Sequence, residues 1–449
     1  MNSIVFPAGS LKELFKKSAL CDVEELAAMA LAGSAETAGR RRLLVRSVEF
    51  MQGTDLLDVG LNKVVISPTV IARMLKRAKN ERLKVVLIHS HPGSSATHFS
   101  EIDNANDRRL FPSLLGRAPG PHATVVLGDY SFDGAFYDDD MKRTSVDEVV
   151  EVGSNTLRLC RLGTAVAKPL SGRLDRTVRA LGVAGQTTLR SLRIGVVGLG
   201  GTGSVVAQEL AYLGVREFVL VDHDVVDLSN LNRTVTADSS SVGQMKTSAA
   251  AAMIMRIDPN ATVVEVTGDV MNSSCARGLL ECDFIFSCTD SHGSRAVLNQ
   301  IAYQYFIPTI DVGVQITAQR DTSLSISGRV QYLALPFACL VCSQLLDPGQ
   351  VRIDFMTDAQ RRADAYVMGT VLPQPSVISL NATVASLAVT MFLSVVAELE
   401  FPARYLIYRA DQASLRRTRI DPQAGCPVCS HMGALGRGDS FSLPWRADA

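Results

Sequence analysis

The segment RIGVVG and the LGGTGS that completes it, from Arg193 to Ser204, constrain the fold of this chain more than any other stretch. An apolar run closed by glycines, continued by a helical pattern and answered by a second apolar run, FVLVD (Phe218 to Asp222), is the signature of a βαβ unit. A third run, FIFSCTD from Phe284 to Asp290, extends the series. The C-terminal half is therefore expected to be α/β, Rossmann-like, with a doubly wound parallel sheet. Upstream, strand candidates at Leu43 to Val48, Val85 to Ile88 and Ala123 to Leu127 alternate with helical stretches near Leu11 to Phe15 and Val70 to Ala78. That reads as a second, compact α/β unit. Between them periodicity weakens, and Gly153, Gly163, Pro169 and Gly172 punctuate the chain as in a connector. The 449 residues then divide into 1–152, a connector at 153–174, a domain at 175–430 and an unassigned tail at 431–449 that holds the single tryptophan, Trp445.

Composition excludes more than it selects. Lysine plus arginine equal aspartate plus glutamate at 45 each, so no global field draws the chain to nucleic acid or an anionic membrane. The N-terminal MNSIVFPAGSLKELFKK lacks the pattern of a secretory signal. The apolar stretch from Leu380 to Ala397 carries Asn381, Thr383, Ser386, Thr390 and Ser394 at spacings that suit a buried or interface helix, not a membrane span. Four of the nine cysteines form two CxxC pairs, which in a large chain point to metal and to a reducing compartment, hence the cytoplasm.

The glycine segment satisfies GxGxxG at Gly198, Gly200 and Gly203, with Gly201 between them, and Asp222 follows at the next strand end. Glycines let the backbone approach phosphate, a helix N-terminus offers free amides, and the acid can hold ribose hydroxyls. Alone, this fits a nicotinamide-dependent oxidoreductase. Arg233, Lys246 and Asp290, however, place two cations and a carboxylate after strand ends on the same side of the sheet. A dehydrogenase has no use for them. Transfer at the α-phosphate of ATP does, since departing pyrophosphate must be neutralised by cations and magnesium. Arg233 and Lys246 fit the phosphates and Asp290 the magnesium ion.

In the N-terminal unit the strand VVLI runs into HSHP, so His89 and His91 alternate by two and point to one side. With Asp103 they offer three zinc ligands and leave a fourth place for water. A carboxylate must still move the proton. Glu25 is the candidate base, with Glu24 and Glu49 as rivals. Ser100 and Asp103 also fit a helix cap. Cys339 with Cys342 and Cys426 with Cys429 suffice for a closed, structural tetrahedral zinc site; disulfides or redox motifs are the alternative.

HSHP, Ser100 and Asp103 together resemble the JAMM metalloprotease motif of the JAB/MPN fold. That resemblance implies His89, His91 and Asp103 as ligands of a catalytic Zn2+, Glu25 as general base and Ser100 as the group that steadies the oxyanion. Glu25 is chosen because EELAAMALAG is similar to the family's run preceding its first core strand. The spacer from His91 to Asp103 is one residue longer than the common form, and His98 falls inside it as a substitute ligand. From about Arg176 to Cys429 the chain resembles the ThiF/MoeB-type activating fold shared with ubiquitin-activating enzymes. This implies ATP and Mg2+, with Asp222 on the ribose and Asn230, Arg233 and Lys246 on the phosphates. Arg176, within DRTVRALG, would reach the partner's ATP site in a homodimer. Thr234 stands where relatives often carry glutamine.

The combined expectation is a bifunctional enzyme. One half adenylates the C-terminal glycine of a ubiquitin-like or sulfur-carrier protein, which a conjugating protein would then receive; the other half cleaves such a protein from its conjugates or precursor. No cysteine lies between Cys342 and Cys426, where many relatives carry an acyl-accepting thiol, so adenylation without a stable thioester is expected. Alternatives are an activating enzyme or scaffold with a degenerate peptidase half, and, more remotely, an NAD-dependent oxidoreductase.

Overall fold

The computed structural model describes residues 1–20, 25–60, 63–161, 172–318, 324–357, 360–361, 375–397 and 399–446. Cys21, Glu24, Gly163 and Pro169 lie outside them. Two units emerge. Unit 1 comprises Met1–Ala167, Gln304–Phe306 and His431–Ser442, and unit 2 comprises Lys168–Tyr303, Ile307–Ser430 and Leu443–Ala449.

The strands of unit 1 are β1 (Asn2–Pro7), β2 (Ala27–Glu36), β3 (Arg41–Phe50), β4 (Leu56–Gly60), β5 (Lys63–Ile66), β6 (Lys84–Ser90), β7 (His122–Leu127), β8 (Phe132–Tyr137), β9 (Arg143–Ser145), β10 (Glu148–Val152) and β11 (Leu157–Cys160). Its helices are α1 (Ser10–Ala19), α2 (Pro68–Glu81) and α3 (Glu101–Leu115). Nine strands form one mixed sheet, ordered β11-β10-β1-β3-β2-β6-β7-β8-β9, while β4 and β5 pair separately. Strand β2, rich in alanine, shows why the sheet is covered on both faces. Alternate residues of a strand face opposite sides, so Ala28, Ala30 and Ala32 pack with Leu11 and Leu14 of α1, while Ala27, Met29 and Leu31 pack with Met74 of α2 and Phe111 of α3. Most of the run EELAAMALAG, expected to precede the first core strand, thus lies within a central strand, β2. In β6 the same alternation turns Val85 and Leu87 towards α2 and α3. His89 continues that parity.

The tail that the sequence left unassigned contributes to unit 1. Gly438 bridges to Ser34, the amide of Glu36 donates to Asp439 Oδ2 at 2.9 Å, and Tyr305 Oη donates to Asp439 Oδ1 at 3.0 Å. The buried Arg46 guanidinium donates to the carbonyl of His431.

Unit 2 holds β12 (Arg193–Val197), β13 (Glu217–Asp222), β14 (Thr262–Thr267), β15 (Phe284–Ser287), β16 (Thr309–Ala318), β17 (Leu324–Leu333), β18 (Tyr405–Arg409) and β19 (Ser414–Arg417). The helices are α4 (Asp175–Ser191), α5 (Gly201–Tyr212), α6 (Lys246–Ile257), α7 (Ser273–Gly278), α8 (His292–Gln304), α9 (Pro348–Phe355) and, last among those named here, α10 (Ile378–Val396). The sheet order is β14-β13-β12-β15-β16-β17-β18-β19. Strands β14 to β16 pair in parallel and β16 to β19 antiparallel. Strand order reverses between β12 and β15, and such a reversal opens a crevice at the carboxyl ends of the strands, where ligands bind in open α/β sheets.

Helix α10 is the one helix among the described residues long and apolar enough, by length and composition, to cross a membrane. Its buried residues, among them Val384, Ala388 and Phe392, pack against α5, β16 and β17. Half of its apolar stretch is buried, in keeping with the buried or interface helix that its polar spacing implies.

Candidate functional site

Two side-chain constellations converge in unit 1 and unit 2, and each follows from local geometry. In unit 1, β6 presents His89 and its continuation presents His91 towards the start of α3. Ser100 caps α3: its hydroxyl accepts from the amide of Asp103 at 3.1 Å, and Asp103 Oδ2 accepts from the Ser100 amide at 2.8 Å and from the Ser100 hydroxyl at 2.7 Å. Capping and ligation were alternative readings of these residues. The cap is what aims the Asp103 carboxylate at the histidines. His89 Nε2 lies 3.2 Å from Asp103 Oδ1 and His91 Nε2 lies 3.4 Å from Asp103 Oδ2, with ring centroids 5.2 Å apart.

The geometry fits a metal ion. His89 Nε2 is buried and, although near Asp103, is not aligned to form a hydrogen bond with any described group. One ligand atom from each of His89, His91 and Asp103 lies within 4.8 Å of the others. Burial opposes the charge of Asp103, but the adjacent His89 and His91 imidazoles and the hydrogen bond from the Ser100 hydroxyl outweigh it and hold the carboxyl well below the usual range. The hydrogen bond to Asp103 raises the pKa of His91.

Glu25 is buried, with Oε1 3.8 Å from His91 Nε2, and desolvation raises its pKa. Its rival Glu49 is turned away into ion pairs with Arg73 and Arg77 at 3.3 and 2.6 Å, and Glu24 lies outside the described residues. His98 is exposed and does not join the cluster, so the longer spacer does not bring in a substitute ligand. Beside the cluster runs a groove of about 400 Å3, floored by Val64, Ile66, Ile71 and Leu87 and bordered by Asp107 and Arg109. Asp107, invisible as a site residue in the sequence, accepts from Tyr137 Oη at 3.0 Å, and burial raises its pKa to about 6.

In unit 2 the turn from β12 to α5 carries the glycines. Gly198 has φ of +84°, a left-handed conformation that favours glycine. A Cβ on Gly203 would lie 1.8 Å from the carbonyl oxygen of Gly198, so only glycine lets helix and strand approach. Asp222, at the end of β13, locks this turn: Oδ2 accepts from the Leu199 amide at 2.6 Å and Oδ1 from the Asp224 amide at 2.8 Å. Lys246, the first residue of α6 and almost fully buried, reaches back to Asp224 Oδ2 at 2.7 Å. Arg233 stands 3.5 Å from the Cβ position of Gly201, and its Nη1 donates to the carbonyl of Ser229 at 2.7 Å. Asn230 Oδ1 accepts from the Asp227 amide at 3.2 Å, Asp290 is exposed just beyond β15, and Arg176 is exposed in the first turn of α4.

Sequence reasoning missed Asn381. It is buried on the first turn of α10, and its Nδ2 would be 2.2 Å from a Cβ on Gly201. A polar residue in an apolar helix was the only signal, and it was read as a feature of packing. Asp224 was missed as well, being one of two acids in DHD with nothing local to tell their roles apart.

The four paired cysteines gather in unit 2. Sγ atoms of Cys339 and Cys426, and of Cys342 and Cys429, lie 3.5 Å apart, and those of Cys339 and Cys342 lie 3.7 Å apart. A disulfide would require ~2 Å. Ligation of one tetrahedral zinc at ~2.3 Å implies S–S edges of about 3.8 Å. The donors are four buried thiols, which fits a structural zinc ion.

Comparison with known proteins follows the same division. A model of the ThiF family matches residues 174–428, and a model of prokaryotic homologs of the JAB domain matches residues 7–133. The adenylyltransferase and sulfurtransferase UBA4 of Saccharomyces cerevisiae (strain YJM789) is 34% identical over 152 residues, covering 34% of this chain and 32% of that protein. The molybdopterin-synthase adenylyltransferase of Escherichia coli (strain K12) is 33% identical over 133 residues, covering 30% of this chain and 53% of that one. The SAMP-activating enzyme E1 of Haloferax volcanii is 28% identical over 265 residues, covering 58% of this chain and 90% of that one. The match thus spans about a third of the yeast protein and about half of the Escherichia coli one.

Proposed function

The chain belongs to the ThiF family, and from that membership we propose that it is a bifunctional enzyme of a ubiquitin-like protein system. Unit 2 adenylates the C-terminal glycine of a ubiquitin-like or sulfur-carrier protein with ATP and magnesium. Unit 1 cleaves such a protein from a conjugate or precursor.

The observation that carries the adenylation reading is the polar setting of the glycine turn. Arg233 and Asn381 both stand against Gly201, and Lys246 is held by Asp224 close to the strand end whose Asp222 braces the turn. Free amides at the start of α5 and these cations suit a triphosphate whose pyrophosphate must leave. In this reading Asp290 takes magnesium and Asp222 the ribose, the roles that the family resemblance implies. The names of the relatives, two adenylyltransferases and an activating enzyme, support the same chemistry.

The peptidase reading rests on the convergence of His89, His91 and Asp103 with the buried Glu25 beside them. His89, His91 and Asp103 would hold a zinc ion, which would supply Lewis acidity for hydrolysis. Glu25, its pKa raised by burial, takes the water proton and returns it to the leaving amine. Ser100, whose hydroxyl donates to Asp103 Oδ2 at 2.7 Å, is the group that steadies the oxyanion in this reading.

ATP with magnesium, and not NADH, should raise the melting temperature, because a ligand that binds only the folded state stabilises it by mass action. Stabilisation by NADH alone would replace this reading with the oxidoreductase one.

A further inference from the structure

A second group of charges sits at the same strand ends, and neither metal nor nucleotide accounts for it. Asp311 of β16 is fully buried, and two guanidinium groups share it. Arg329 of β17 places Nη2 at 2.7 Å from Oδ2, and Arg295 of α8 places Nε at 3.4 Å from Oδ1. Ser287 of β15 donates to Oδ1 at 2.9 Å. The acid therefore has one charge against two. Among the described residues the buried atoms Arg329 Nη1, Arg295 Nε and Asp311 Oδ2 have no hydrogen-bond partner, Arg295 Nη2 donates to the Val312 carbonyl at 3.4 Å, and 15% and 14% of the Arg329 and Arg295 side chains remain open.

Two guanidinium groups sharing one carboxylate in a largely desolvated place leave a surplus positive charge that is costly unless a second anion completes it. The sheet register fixes where that anion would lie. Val197 pairs with Ser287, and Ser287 pairs with Asp311, so the three form one row across adjacent strands. Two strand spacings put Asp311 about 10 Å from the last residue before the glycine turn. A Cβ on Gly198 would lie 2.7 Å from the carbonyl oxygen of Cys288, the residue after Ser287, and one on Gly313, two residues beyond Asp311, would lie 3.0 Å from Arg295 Nη2. The phosphates have their own partners in Arg233, Lys246 and the amides of α5. What remains to be bound in the adenylation reaction is the attacking carboxylate, a planar two-oxygen anion that matches the fork of a guanidinium.

We propose that Arg295 and Arg329, seated on Asp311, receive the C-terminal carboxylate of the polypeptide to be activated and hold it against the α-phosphate. This rests on the adenylation reading. In the step itself one carboxylate oxygen forms a bond to the α-phosphorus, the bond from that phosphorus to the oxygen bridging to the β-phosphate breaks, and pyrophosphate leaves with the electron pair. No proton or oxidant is required. The surplus positive charge offsets repulsion between carboxylate and triphosphate.

The test uses the full chain with magnesium and the nonhydrolysable ATP analogue AMPCPP, and N-acetylglycylglycine as a probe against its C-terminal amide. Binding of AMPCPP is measured first; its failure would remove the adenylation reading itself. With the analogue bound, the free acid should bind at least tenfold more tightly than the amide. Arg329→Gln and Arg295→Gln should each weaken the acid at least tenfold while leaving AMPCPP affinity within twofold. Arg329→Lys, which keeps the charge but not the fork, should recover part of the loss and serves should the glutamine variant not fold. Equal binding of acid and amide, no binding of the acid, or variants that leave its affinity unchanged would overturn the proposal. So would a loss of AMPCPP affinity, which would make the guanidinium groups phosphate ligands.

Discussion

His89 Nε2 stands 3.2 Å from Asp103 Oδ1, in contact yet misaligned for a hydrogen bond, as expected of two ligands aimed at a common point and not at each other. With the four-cysteine cluster, this predicts two zinc ions per purified chain by elemental analysis. The His89→Ala, His91→Ala double variant should retain one. Glu25→Gln should retain both, because Glu25 is assigned to proton transfer and not to ligation. One ion in the parent, unchanged in the double variant, would leave a structural clamp and a degenerate peptidase half.

The closed thiolate site should matter to stability more than to chemistry. Cys426→Ser leaves three thiols for a tetrahedral ion, and structural zinc contributes folding free energy directly. Loss of one zinc ion and a melting temperature lower by several degrees are expected. An unchanged melting curve would argue against the clamp.

Gly203→Ala introduces a Cβ 1.8 Å from the Gly198 carbonyl oxygen, an overlap of backbone with side chain that neither partner relieves by rotation. Overpacking of this kind costs roughly 1–3 kcal/mol. The variant should be destabilised by that order in denaturant titration and lose its stabilisation by ATP. Retained ATP stabilisation would show that the turn does not cradle phosphate.

His122 is fully buried, with Nδ1 accepting from the Val85 amide at 3.0 Å, and desolvation lowers its pKa to about 4. A histidine depressed in the folded state is protonated first in the unfolded chain, from about pH 6.5 downwards. It therefore contributes stability above pH 6.5 that fades as pH falls towards 4, on the order of 3 kcal/mol across the whole interval. Asp107, raised to about 6 by burial, acts in the opposite sense, so the difference between parent and His122→Gln isolates the histidine. Denaturant midpoints should converge for the two proteins as pH falls from 7 to 4. Parallel curves would show that His122 is not held neutral.

Adenylation should proceed without a stable thioester on this chain. No cysteine lies between Cys342 and Cys426, and burial pushes the thiols of Cys288 and Cys160 up, away from the thiolate form. A thiol-sensitive adduct with a carrier protein on a non-reducing gel would sink this prediction.

What the sequence determined by itself is whatever depends on backbone period and neighbouring residues. The alternation in VVLIHSHP fixed the shared direction of His89 and His91, the glycines of LGGTGS fixed the turn into α5, and Ser100 with Asp103 fixed a cap. Two CxxC pairs likewise announced four thiols before any distance was known. Local conformation sets these features, so they are readable without the fold. Only the tertiary structure decided that Asn381 reaches Gly201, that Asp439 of the tail bonds the amide of Glu36, and that Arg295 and Arg329 share Asp311. Those partners are far apart in the chain and meet through strand order and helix packing, which arise from many weak contacts summed over the domain, so no short motif encodes them.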